Sequence, residues 1–415
     1  MLNSETVKVI EQFKMLEKLE EQSQNYLKQI LPIGNAIVLK LTKACNLRCV
    51  YCYSCGGENN DLMKVETALK LIDQVAYANK GPISVAFHGG EPLLAKKALK
   101  SIVSAVLARP YAYRIRFIIQ TNATLIDKEW ADYIKKMRIL TGVSLDGIQE
   151  VNDSLRYDIH GKGSFNHVIG GMNHLKENEI PFGLSTVLTR KNIDNVISIL
   201  ELCKEYKIRN VRFDLFLPFG YGKTHDLAPE LDEYLEVNKQ MIAWLVEHNK
   251  NNPDLSITES NLQGILHNCV NKNERGSMCT SSPCGAGVEH IGLGANGDVY
   301  ICDLLYGEGN YNLGNINEKS LYQIWVEKKH IFERFQTPHT ERVEKCSKCS
   351  INTSCFGGCP AQGISFYGEA AWSRESVLCG YYEKIIPYLY SLLDSGIAPE
   401  LLGVTSKSSC RICTS

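Results

Sequence analysis

Eleven cysteines gathered into two groups constrain this chain more than any other feature. The first group is Cys45-Asn46-Leu47-Arg48-Cys49-Val50-Tyr51-Cys52. The second is Cys279, Cys284, Cys302, Cys346, Cys349, Cys355, Cys359 and Cys379. In all there are 16 cysteines among 415 residues. In a secreted miniprotein that density would read as disulfides, but the start of the chain has no basic stretch ahead of an apolar one, so no export signal is expected. In a long chain kept in a reducing cytoplasm, clustered thiols point to thiolates holding metal. Hydrophobic residues at 44% and charged residues at 22% fit a globular protein. A net charge of -1 gives no general nucleic-acid-binding surface and no polybasic membrane anchor. No apolar run is long enough for a transmembrane helix.

Residues 4–30 carry apolar positions at helical spacing (Val7, Ile10, Phe13, Leu16, Leu19) and read as an amphipathic helix. After Pro32 and Gly34 the pattern becomes strand and helix in alternation. Strands are expected at 36–41, 83–87, 114–119, 141–145, 182–188 and 211–215, with helices near 64–79, 95–108, 127–137, 165–177 and 192–206 between them. These βα units imply an α/β fold with a parallel sheet covered on at least one side, either open and doubly wound or a partial barrel. A further helix is expected over 229–250. From Cys279 to Cys379 periodicity fades and Gly, Cys and turn residues dominate, as where metal centres replace part of a core. An apolar helix near 381–394 and a frayed tail close the chain.

The first cysteine group falls on the loop after the first strand. Ligands in parallel α/β folds gather at the carboxyl ends of strands. Three thiolates suit an iron–sulfur cluster with one iron left open; zinc would want a fourth ligand, which Cys55 could supply. The CxxxCxxC spacing, with Tyr51 before the third cysteine, resembles the radical S-adenosylmethionine (SAM) family. Gly89-Gly90-Glu91-Pro92 after the second strand looks like that family's SAM-binding segment. The resemblance implies a partial (β/α)6 barrel over 34–225, a four-iron cluster on Cys45, Cys49 and Cys52, and SAM held by Gly89, Gly90 and Glu91. Ser144, at the end of the fourth strand, is carried over as a SAM contact, with Asp146 and Arg156 as further candidates.

The second group matches the pattern of the SPASM extension, in which Gly297 precedes Cys302 by a fixed interval. By that resemblance one auxiliary four-iron cluster takes Cys279, Cys284, Cys302 and Cys359, and the other takes Cys346, Cys349, Cys355 and Cys379. Three [4Fe-4S] clusters are therefore expected. Asp303, directly after Cys302, resembles the general base proposed in anaerobic sulfatase-maturating enzymes. The implied organisation is an N-terminal helix (1–33), the barrel (34–225), a helical linker (226–278), a SPASM domain (279–385) and a helix end with a flexible tail (386–415). Of the other cysteines, Cys203 reads as core, Cys55 as a bystander, and Cys410 and Cys413 as a CxxC pair at the end of the chain; Cys269 is left unassigned.

Closed auxiliary clusters cannot bind SAM but can accept the electron left when a substrate loses a hydrogen atom and a proton. The expected activity is thus a two-electron oxidation in an anaerobic cytoplasm, fed by a flavodoxin- or ferredoxin-type reductant. Two resemblances compete for the substrate. The favoured one is a maturase of a ribosomally made precursor peptide, forming a Cys-derived thioether. The alternative is a sulfatase maturase that makes formylglycine. Phe87-His88 ahead of the GGEP segment departs from the second type, whereas Asp303 and the run after it favour that type. An electron carrier or regulatory iron–sulfur protein is the non-enzymatic alternative, and it would have no need of the GGEP segment.

Overall fold

The computed structural model describes residues 34–271 and 279–403; the helix expected over 4–30 and the Cys410–Cys413 pair lie outside the described residues. Six strands appear where the apolar runs predict them: β1 (Ala36–Lys40), β2 (Ile83–His88), β3 (Ile115–Thr121), β4 (Leu140–Ser144), β5 (Phe182–Leu188) and β6 (Asn210–Leu215). Crossover helices α1 (Val65–Ala78), α2 (Lys96–Leu107), α3 (Lys128–Met137), α4 (Gln149–Leu155), α5 (Phe165–Glu177) and α6 (Val196–Glu205) separate them. Every pair from β1 to β6 is parallel.

These strands are not uniformly apolar. Buried and half-buried positions alternate along β3, β4 and β5. The buried set, including Val85, Phe87, Phe117, Val143, Leu184 and Phe213, joins one hydrophobic core with residues of the crossover helices such as Leu71, Ile102 and Ile134. Phe87 stacks on Phe117 with ring centroids 5.8 Å apart, a favourable offset contact for neighbouring strands. The alternate face carries polar residues such as Gln120, Ser144 and Ser185, as expected where a sheet lines a binding space.

Four strands lie beyond the six. After α7 (Leu231–Asn251), β7 (Thr258–Glu259) adds in parallel to β6, so the segment read as a helical linker contributes to the sheet. Helix α8 (Ser260–Val270) follows, and Glu259 caps it by accepting from the Asn261 and Leu262 amides. Then β8 (His290–Leu293) pairs in parallel with the opposite side of β1, and the antiparallel strands β9 (Asp298–Tyr300) and β10 (Asn312–Asn315) continue outward. The single sheet runs β10-β9-β8-β1-β2-β3-β4-β5-β6-β7 and its two ends do not pair, giving an open, partial barrel. Cys346 and Cys355 sit on the short helices Glu344–Ser347 and Asn352–Cys355, and the closing helix Cys379–Asp394 packs against α7 and α8. Among the described residues no helix is long and apolar enough to cross a membrane.

Candidate active site and cysteine centres

The loop after β1 brings Cys45, Cys49 and Cys52 together. The Leu47 amide donates to Cys45 Sγ at 3.4 Å and the Gly56 amide to Cys52 Sγ at 3.3 Å. Burial, followed by the neighbouring Cys52 and Cys45 sulfurs, pushes the Cys49 thiol up to about 12 although Arg156 opposes it. Sulfurs this close ionise together only around a compensating cationic core, and their amide donors favour the thiolate. The donor set fits an iron–sulfur cluster. Cys55 sits at positive φ with its thiol turned toward Glu58.

The GGEP segment is bound to the backbone just before Cys45. The Gly90 amide donates to Thr42 O at 2.7 Å and the Glu91 amide to Ala44 O at 2.8 Å. A Cβ at Gly90 would meet Ala44 O at 2.2 Å, and Gly89 has φ +144 with Thr42 O 2.4 Å from an added Cβ. Only glycine permits that approach. Glu91 is 1% exposed and its carboxylate accepts from Leu93 N, Thr121 Oγ1 and Asn122 N. It ties β2 to β3. Asn122 then donates to Asn46 within the cysteine loop at 2.9 Å.

Ser144 accepts from the Gln120 side chain at 2.9 Å on the polar face of the sheet. Asp146 is 0% exposed; one oxygen accepts from Val187 N at 3.0 Å, and the other meets Tyr51 Oη and, at 3.6 Å, Arg156 Nη1. Arg156 also donates to Tyr51 Oη at 2.6 Å, while its buried Nε has no partner among the described residues. Tyr51 lies between two cysteines of the loop, so the Asp146–Arg156 pair braces that loop from below.

Asp303 forms the centre of a second polar group. Tyr53, next to Cys52, donates to its Oδ2 at 3.2 Å, and Lys40 Nζ lies 3.8 Å away. Lys40 is 1% exposed, hydrogen-bonds Tyr53 Oη and approaches His88 Nδ1 at 3.4 Å. His290 Nδ1 or Nε2, Cys302 Sγ and an Asp303 oxygen lie within 4.8 Å of one another. Burial pushes the Asp303 carboxyl up, but Lys40 first, with His290 and the Tyr53 hydroxyl, holds it below the usual carboxylate range. Burial and then Lys40 drive His88 down to about 3, so it is neutral. Lys40, Tyr53 and His290 escaped the motif reading, and His88 entered it only as a departure ahead of the GGEP segment. The one available signal was a lysine ending an otherwise apolar strand.

The remaining thiols fall into two sets. Cys359 is a charged neighbour of Cys279, Cys284 and Cys302. Cys346, Cys349, Cys355 and Cys379 line one pocket. Cys203 is fully buried in the core.

A partial barrel with a three-thiol loop at its first strand and two four-thiol sets beside it presents the donor sets of an iron–sulfur enzyme. The radical SAM superfamily model matches residues 39–225, and the SPASM iron–sulfur cluster-binding domain matches residues 284–350. An uncharacterized protein of Methanocaldococcus jannaschii is 33% identical over 68% of this chain and 89% of its own. The cysteine-type anaerobic sulfatase-maturating enzyme of Clostridium perfringens is 27% identical over 88% of this chain and 98% of its own. The Fe-coproporphyrin III synthase of Methanosarcina barkeri is also 27% identical, over 84% and 90%. Native anSMEcpe, solved with bound AdoMet and the Cp18Cys peptide, shares the fold at TM-score 0.72, with 23% identity over 87% of this chain and 99% of that one. Streptococcus suis SuiB bound to precursor peptide SuiA follows at TM-score 0.61, with 20% identity over 91% and 82%. The chain belongs to the radical SAM superfamily and carries a SPASM domain: it is a radical SAM enzyme that binds SAM and iron–sulfur clusters.

Proposed function

We propose that this enzyme removes two electrons from a side chain of a ribosomally made precursor peptide, joining a cysteine sulfur to carbon as a thioether. The two-electron oxidation rests on the Asp303 carboxylate, which touches Tyr53 beside the first thiol group and follows Cys302 of the second; the choice of a thioether over formylglycine rests on Phe87-His88 ahead of the GGEP segment, the departure from the sulfatase type. Asp303 stands between the two centres, 23% exposed.

Cys45, Cys49 and Cys52 hold the open cluster, and the two four-thiol sets hold one closed cluster each, three in all. When bound, SAM and the reduced open cluster supply a carbon radical that takes a hydrogen atom, and the closed clusters supply an acceptor for the surplus electron. Gly89 and Gly90 let their segment lie directly against the cysteine loop's backbone, where it would receive the cofactor's amino group, and the Arg156 Nε, without a partner among the described residues, is a donor for its anionic end. Ser144 offers its hydroxyl from β4. Asp146 and Glu91, whose oxygens are engaged within the protein, serve by holding Arg156 and the β2–β3 junction. Asp303 takes the substrate proton, with Lys40 and Tyr53 keeping the carboxylate ionised and aimed.

A second reading, conversion of a sulfatase Cys or Ser to formylglycine, is favoured by the named maturase relatives. The relatives also include a porphyrin-forming enzyme at the same identity, so similarity alone does not choose a substrate. The test is anaerobic reconstitution with dithionite and SAM, read as 5′-deoxyadenosine, followed by co-expression with a Cys-rich peptide or a sulfatase fragment and mass measurement. Loss of two hydrogens with a lost free thiol supports the thioether; a Cys thiol replaced by an aldehyde supports the second reading. No 5′-deoxyadenosine from protein with intact clusters removes both.

A further inference from the structure

Arg342 is the cation that the activity has not yet used. It ends the short helix His339–Arg342, between Cys302 and Cys346 in the sequence. It lines a cavity with Cys359, Pro360 and Trp372. The pocket lined by Cys346, Cys349, Cys355 and Cys379 adjoins that cavity, and Gly357, Glu375 and Ser376 belong to both walls. Cys359 and the quartet come from different sets, so the arginine stands at their boundary.

The guanidinium is held in place. Its Nε donates to Thr337 O at 3.2 Å, Nη2 lies 3.4 Å from His339 Nδ1, and its carbon sits 4.8 Å from the Trp372 ring centroid. Trp372 is buried and donates its indole N–H to Tyr311 Oη at 3.3 Å. Arg334 packs on the same ring at 4.5 Å, but Glu369 pairs with it at 2.7 Å. Arg342 has no such partner: among the described residues no carboxylate lies within ion-pairing distance of it, and Glu375 shares the cavity without pairing. Burial and Arg334 disfavour the charge on Arg342, whereas Cys284 and Cys346, one thiol from each set, favour it. Arginine keeps its proton in proteins, so an unpaired positive charge faces both sets.

We propose that Arg342, held on the Trp372 ring, is a positioning residue that stabilises the reduced state of both auxiliary clusters. This rests on the reading that the two thiol sets hold clusters. Reduction adds one negative charge to a cluster already bearing thiolates. A fixed cation in a partly desolvated boundary offsets that added charge more strongly than one in water. Standing between the sets, it favours reduction of both and so eases removal of the substrate's surplus electron.

The test is an EPR-monitored reductive titration of the anaerobically reconstituted full chain, with iron quantified. Arg342→Gln removes the charge and keeps a donor; Arg342→Lys restores the charge. Arg342→Gln is expected to lower the midpoint potentials of the auxiliary signals and to leave unmoved the signal that changes on adding SAM. Arg342→Lys is expected to hold most of the wild-type values. Unmoved auxiliary midpoints in Arg342→Gln at full iron content would overturn the proposal, as would an equal shift of all signals. If Arg342→Gln does not fold, Trp372→Leu, which removes the platform, must lower the same midpoints or the proposal fails. A wild-type protein with iron at the first thiol group alone would remove the cluster reading itself, and this proposal with it.

Discussion

Replacing Arg156 with Met leaves the Asp146 carboxylate in a site with no exposure and without its cation. Removing one partner of a buried ion pair costs about 3–5 kcal/mol, because the remaining charge is stranded away from water. Tyr51, which accepts from Arg156 at 2.6 Å, loses its anchor at the same time, and it sits inside the cysteine loop. The cost therefore falls on opening of that loop. At 1.36 kcal/mol per factor of ten, the loop's open population rises roughly a hundredfold to several thousandfold. The assay is the rate at which an iron chelator withdraws iron from the reconstituted protein without SAM, because the opened loop surrenders its iron. Arg156→Met is expected to speed that loss by at least two orders of magnitude. Asp146→Asn combined with Arg156→Met should recover much of the difference, since no charge is then left stranded. A single variant that loses iron no faster than wild type refutes the reasoning. So does a double variant as fragile as the single one, because the effect would then come from lost packing and not from charge.

Cys49→Ala should abolish SAM cleavage while keeping about two thirds of the iron, since two of three clusters retain all their thiolates; iron at the wild-type level would contradict the assignment. Asp303→Asn should keep 5′-deoxyadenosine formation and lower product, because hydrogen abstraction precedes proton removal, and full product yield would exclude Asp303 as the base. Lys40 helps hold the Asp303 carboxyl below its usual range. The ionised carboxylate's stabilisation is therefore present above the ordinary carboxylate pKa and is lost as pH falls through the lower folded value. Lys40→Met removes that restraint, so the acid limb of the product-against-pH profile should move to higher pH, and an unmoved limb would rule out the pairing.

The two centres were legible in unequal degree. The cysteine loop, the GGEP segment and the six apolar strands all appear at the expected positions, because each is set by spacing over a few residues. Asp146 was legible only as a residue after a strand. Its complete burial depends on Val187, Tyr51 and Arg156 arriving from other elements. Buried and half-buried positions alternate along β3, β4 and β5. Residues such as Gln120 and Ser144 face a binding space, and that space exists only once the sheet has curved. Strand β7 has two residues, too few for any periodic signal.

Local chemistry in the chain determined the first thiol group and where the parallel strands begin, since a CxxxCxxC loop and a run of β-branched residues act over short stretches of backbone, whereas Cys359 joins Cys279, Cys284 and Cys302 only in the folded chain. What only the tertiary structure decided is the meeting of the halves. Strand β8 pairs with β1, and this sets Asp303 over Lys40 and Tyr53, the last 250 positions away. No pattern within the intervening segments encodes that contact. It follows from the free edge of β1, whose unpaired backbone groups must find a partner, and from the buried lysine, whose charge needs a carboxylate wherever the fold can bring one.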